Sequence, residues 1–238
     1  MRAILAGVVV AGLVGCAGVP VSAPAPMAAP VAAPVVPPRE RGAQAARSFI
    51  SVVEAVEPVA EAECRARTAN ANCDFIIVVD DRRDQPPNAF QTLDDTGRPI
   101  VGFTLALIAE ARNVDELAFI LGHEAAHHIA GHIPRAQQSA LGGAILAGVL
   151  ATVGGADAAG VREAQNIGAS LGSRRFSKDF ELEADALGTV IALRAGYDPV
   201  RGAEYFARIP DPGNQFLGTH PPNAQRIAIV RRVAAGLR

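Results

Sequence analysis

The sequence predicts an α+β domain, mostly helical, with one small antiparallel β-sheet near its start. Three observations predict it. Apolar residues recur at helical spacing from Phe49 to Ala60 and dominate again after Leu105. Between these stretches lie short β-branched or aromatic runs at 75–79, 88–90 and 100–103, and the turn sequence Asp94-Asp95-Thr96-Gly97 separates the last two. Half of the 238 residues are apolar, enough for a sizeable core. With 22 Lys and Arg against 24 Asp and Glu, the net charge of -2 gives no electrostatic reason to expect nucleic acid as a partner.

Residues 1–15 read as an export signal: Arg2 is the positive start, and Ala3 to Val14 form an apolar stretch too short to span a bilayer. Leu13-Val14-Gly15-Cys16 resembles a bacterial lipobox. That resemblance implies lipid on the Cys16 sulfur and a chain anchored in the cell envelope. It would face the periplasm, with the outer membrane as the expected site. An ordinary cleavage site after Ala23 is the alternative, and Pro24 directly behind that bond argues against it. Residues 16–42, rich in Pro and Ala, read as a tether. The folded domain is expected over 43–238.

The elements of that domain follow in order. Phe49, Val52, Val53, Val56 and Val59 or Ala60 mark an entry helix that runs to the loop at Cys64. With Cys16 committed to lipid, Cys64 and Cys73 remain as an even pair in an oxidising compartment, and a disulfide between them is expected. Runs 75–79, 88–90 and 100–103 supply the sheet. The pattern from Leu105 onward is helical.

The next helix carries the chemistry. Asn113 and Glu116 form a capping pair at its start, and Pro134 is expected to stop it. Apolar residues surround its axis, so the helix should be deeply packed, and ionisable groups inside it need partners. His123 and His127 lie about 40° apart on one face, with Glu124 beside them. Two imidazoles so placed can hold one Zn²⁺ per chain, and Glu124 can serve as general base. His128 and His132 fall on the opposite side as structural or surface residues.

A zinc hydrolase needs a third protein ligand. Glu181, Ala184, Asp185, Gly188, Ala192 and Ala195 share one narrow helical face, whose small residues let two helices approach closely. Glu181 can therefore reach the metal. Asp185, one turn on, suits the free N–H of a zinc-bound histidine. Glu183 points away, about 200° round from Glu181, towards solvent.

Taken together, Asn88-Ala89-Phe90, His123-Glu124-x-x-His127, Glu181-x-x-x-Asp185, Gly196-Tyr197-Asp198-Pro199 and His220-Pro221-Pro222 before Arg226 resemble the metallopeptidase family of HtpX and the CAAX prenyl protease. The likeness is to its soluble periplasmic branch and covers about residues 45–232. It implies a zincin-like fold of the gluzincin type, zinc on His123, His127 and Glu181, and Glu124 as catalytic base. It also implies endopeptidase action on misfolded or unassembled envelope proteins. The prenyl-protein substrate of the membrane-embedded members does not carry over.

Three further expectations complete the reading. Residues 139–156, uncharged and rich in Gly and Ala, are expected as a buried or cleft-covering helix, with a membrane-touching lid as the alternative. His220, held in a rigid His-Pro-Pro sequence, is expected near the zinc, as oxyanion donor or as a fourth ligand that closes the site, with Arg226, Tyr197 and Tyr205 behind it. Substrate is expected to pair with a strand edge near 88–90. The reading from a different class is a zinc-binding envelope chaperone or assembly factor with little proteolysis.

Overall fold

The computed structural model describes residues 38–174, 177–213 and 220–237. The signal segment, Cys16 and residues 16–37 of the tether lie outside the described residues. Helix α1 (Pro38–Arg67) begins inside the stretch assigned to the tether, with proline at its first position, where the missing N–H costs nothing. Its stripe of Phe49, Val52, Val56, Ala60 and Cys64 is buried. Cys64 and Cys73 form the expected disulfide, with Cα atoms 5.6 Å apart.

Three strands follow: β1 (Ile76–Asp80), β2 (Ala89–Leu93) and β3 (Pro99–Thr104). The sheet order is β1-β3-β2, so the sheet is mixed rather than antiparallel. β2 and β3 form the antiparallel hairpin the turn sequence predicts, but β3 lies parallel to β1. The hairpin folds back so that β3 fills the space between the first two strands. A turn signal shows that two strands are joined tightly, and says nothing about which strand lies in the middle. Asp94 Oδ1 closes the turn by accepting from the backbone N–H of Thr96 and Arg98, and Gly97 takes the left-handed φ of 82°. β2 is left as an edge strand. Buried Thr104 fixes where that edge starts: its hydroxyl accepts from Asn88 N–H and donates to the Pro86 carbonyl.

Beyond the sheet come α2 (Leu105–Glu110), α3 (Val114–Ile129), α4 (His132–Val153), α5 (Ala158–Arg174), α6 (Ser177–Arg194), the short α7 (Pro199–Gly202) with a 3₁₀ turn at Ala203–Ala207, and α8 (Asn223–Gly236). The Asn113 side chain caps α3 by accepting from Glu116 N–H, and twelve of the sixteen residues of α3 are buried. The helix ends sooner than expected. Gly131 at φ 66° terminates it, and Pro134 sits in the first turn of α4, where proline is tolerated.

Helices α3 and α6 pack through the small-residue face that carries Glu181 and Asp185. A Cβ at Gly188 would lie 2.7 Å from the backbone nitrogen of His123, and one at Gly122 would lie 2.9 Å from the Gly188 carbonyl. Glycine at both positions sets how near the carboxylates of α6 come to the histidines of α3.

Helix α4 contradicts the expectation of a buried helix over 139–156. It pairs with α5 through glycines, and a Cβ at Gly143 would lie 2.1 Å from the Gly168 carbonyl. Leu141, Ile145, Leu146, Val149, Leu150 and Val153 are each more than half exposed. The small residues occupy the helix–helix seam and leave the large ones outside, an arrangement that uncharged composition does not distinguish from a core helix. α4 is long and apolar enough to cross a membrane.

Candidate metal centre

His123 and His127 stand one turn apart on α3, and Glu181 faces them from α6. The two Nε2 atoms are 3.0 Å apart. Glu181 Oε1 lies 3.4 Å from His127 Nε2, and its Oε2 lies 3.7 Å from His123 Nε2. Ligand atoms bonded tetrahedrally to zinc at about 2.0–2.1 Å are roughly 3.3 Å from one another. The three donors therefore fit one tetrahedral ion, and two nitrogens with one carboxylate oxygen suit zinc.

Both histidines have their other ring nitrogen engaged, which turns Nε2 towards the metal position. His123 Nδ1 lies 2.9 Å from Asp185 Oδ1, as the helical spacing predicted. Asp185 is fully buried and also accepts two hydrogen bonds from Arg226, from Nε at 2.8 Å and Nη2 at 2.7 Å. Burial works against the charged form of Asp185, but the hydrogen bonds from Arg226 and His123 outweigh it and hold the carboxyl below its ordinary range. The guanidinium of Arg226 lies over the Phe206 ring at 3.8 Å and comes within 3.3 Å of Glu181 Oε2. Burial likewise opposes the charge on Glu181, and hydrogen bonds from His127 and His220 win, pulling its carboxyl well down.

His127 Nδ1 meets a partner that helical periodicity had placed elsewhere. Because α3 breaks at Gly131, His132 belongs to α4 and folds back, with its Nδ1 2.8 Å from His127 Nδ1. Its Nε2 lies 3.2 Å from Glu183 Oε2, which also accepts from Arg135 Nη1 at 2.7 Å. Glu183 is thus a hydrogen-bonding partner rather than a solvating group. Desolvation pushes His132 down to about 4, so it is neutral at physiological pH. Gly131 followed by Pro134 was the signal for the helix break, since a left-handed glycine commonly ends one helix and proline suits the first turn of another. His128, by contrast, contacts the Asn72 carbonyl at 2.7 Å and the Phe75 ring edge, joining α3 to the disulfide loop.

Glu124 is half-buried and faces the open side of the triad. Burial raises its carboxyl above the ordinary range, against the pull of His123 and His127. Two adjoining lobes of a cleft, 490 Å³ and 260 Å³, share Glu124, His127 and Glu181. His220 lines the larger lobe, with its Nδ1 3.3 Å from Glu181 Oε2. Tyr205 and Arg226 line that lobe as well, whereas Tyr197 packs against the core. Asn88 and Ala89 line the larger lobe and Gln91 the smaller, so the cleft runs along β2.

Two imidazoles and a carboxylate converging beside a second carboxylate, on two packed helices along a cleft bordered by a strand edge, define a metallopeptidase. The sequence matches Peptidase family M48 over residues 50–234, most of the chain, and the protein belongs to that family of metal-dependent hydrolases. Two curated relatives are similar to it. The mitochondrial metalloendopeptidase OMA1 of Arabidopsis thaliana is 30% identical over 131 residues, 53% of this chain and 26% of that protein. A putative beta-barrel assembly-enhancing protease of Vibrio cholerae serotype O1 is 30% identical over 165 residues, 64% of this chain and 33% of that protein. The aligned region thus spans about a quarter to a third of the length of these relatives.

Proposed function

We propose that this metalloprotease is a zinc-dependent endopeptidase of the bacterial cell envelope that hydrolyses misfolded or unassembled envelope proteins. The observation that carries the chemistry is the convergence of His123, His127 and Glu181 with Glu124 at the floor of one cleft. Zinc, when bound, supplies the Lewis acidity that brings a water towards neutral pKa and polarises the scissile carbonyl. Glu124 takes the proton from the attacking water and delivers it to the leaving amine. Burial, which raises its pKa, makes the carboxylate a stronger proton acceptor than an exposed one. His220 and Arg226 carry N–H donors on the side of the cleft where the oxyanion forms.

Substrate binds as an added strand. Among the described residues β2 is an edge strand, with residues 88 and 89 lining the larger lobe and 91 the smaller, so an extended peptide paired with this strand passes Glu124 and the metal ligands. Backbone pairing selects for unfolded segments rather than for a particular sequence. The envelope setting is supported by Leu13-Val14-Gly15-Cys16, which resembles a lipobox, and by the disulfide Cys64–Cys73. The lipid on Cys16 would hold the protein at the membrane, at the outer membrane in this reading. The similarity to the Vibrio protein, a putative beta-barrel assembly-enhancing protease, supports the same setting.

Cleavage of unfolded casein tests the activity. The purified protein should digest it, lose activity in a chelator and regain it with zinc, while digestion unaffected by chelation would refute a metal-dependent mechanism. His220 is tested separately. Its contact with Glu181 suits it either to close the metal site or to serve as oxyanion donor. Higher basal cleavage in His220→Ala supports the gate, and lower cleavage with unchanged zinc supports the donor. Unchanged cleavage leaves only a structural role.

A further inference from the structure

His123 and His127 are oriented by different chemistry. His123 turns its Nδ1 to a carboxylate, the common arrangement for a metal-binding histidine, whereas His127 turns its Nδ1 to a second imidazole. His127 can use Nε2 as its metal donor only with its proton on Nδ1, and that proton then points at His132 Nδ1, 2.8 Å away. His132 must therefore accept at Nδ1 and carry its own proton on Nε2, which faces Glu183 Oε2 at 3.2 Å. Every member of the chain is fixed. His132 is 4% exposed and stacks on Phe180 with the ring planes 11° apart. Arg135 holds Glu183 from the far side and lies 4.4 Å from the Phe180 ring centre.

We propose that Glu183 and His132 form a positioning relay for His127, setting its tautomer and strengthening its Nε2 as a zinc donor. The relay rests on the reading of His127 as a zinc ligand. It links both metal-binding histidines to α6, since Asp185 and Glu183 lie on the same helix as Glu181. The break at Gly131 is what makes it possible: a continuous helix would carry His132 to the side of α3 away from His127.

Zinc affinity, measured on the full chain by competition with a chromogenic chelator, tests the relay independently of activity. His132→Phe keeps the ring and its stacking on Phe180 but removes the acceptor, and zinc binding should weaken about 10–100-fold. His132→Asn places an oxygen where Nδ1 stood, loses the ring, and should stay near wild type. The visible bands of Co²⁺-loaded protein should move in His132→Phe and stay in place in His132→Asn. A packing role predicts the reverse order, so an Asn variant as weak as the Phe variant, or weaker, overturns the relay. Equal affinity in wild type and His132→Phe also overturns it. Wild type that binds no zinc overturns the metal assignment instead. If His132→Phe does not fold, Glu183→Leu carries the test, because this side chain is half-exposed. Its zinc binding should weaken, and an unchanged affinity removes Glu183 from the relay.

Discussion

Glu124→Gln should keep its full complement of zinc, melt at the wild-type temperature and lose casein cleavage by about 10²–10⁴-fold. Glu124 provides no ligand to the site, since the converging donors are His123, His127 and Glu181. The amide preserves size and hydrogen-bonding shape while removing the ability to take a proton, so the loss falls on the chemical step. The same variant separates protease from chaperone. If the cellular effect of the protein survives in Glu124→Gln while cleavage does not, holding rather than hydrolysis is its main work. Wild-type cleavage in the variant would remove Glu124 from the mechanism.

Arg226→Met should destabilise the domain by about 3–5 kcal/mol, because it leaves the Asp185 carboxylate buried without its cation. For a domain of this size that is roughly 6–20 °C in melting temperature. The geometry behind the figure is the paired hydrogen bonds of 2.8 Å and 2.7 Å between two side chains that are 7% and 0% exposed as residues. Adding Asp185→Leu to Arg226→Met should recover most of the loss, since replacing both partners of a buried pair by apolar groups is often neutral. Zinc affinity should not recover, because His123 has then lost the carboxylate that orients it. A single Arg226→Met variant melting at the wild-type temperature would contradict the role given to the pair.

Much of this site was legible because its parts repeat at short range. His123, Glu124 and His127 lie within two turns of one helix, and Glu181, Asp185 and Gly188 follow one face of another. Periodicity therefore fixes their mutual placement before any tertiary contact is considered. The strands and the disulfide were legible from composition and turn residues in the same way. What failed to show depended on a change of direction or on distant contacts. A single left-handed glycine, Gly131, moved His132 from the far side of α3 to a position beside His127, and Glu183 moved with it from solvating group to partner. The pairing of Arg226 with Asp185 spans 41 residues, and nothing local announces it. The exposure of α4 was also hidden, since an uncharged stretch reads alike whether its large residues face a core or face outward.

The zinc content of the purified chain, compared with that of Glu181→Ala, tests the central claim most directly. Glu181 is the proposed ligand that joins α6 to the two histidines of α3, and without it two imidazoles would remain where three protein donors are required. The wild-type protein should hold about one zinc per chain and Glu181→Ala should be stripped by dialysis under the same conditions. Full zinc occupancy in Glu181→Ala would contradict the site described by these three residues and require a different third ligand.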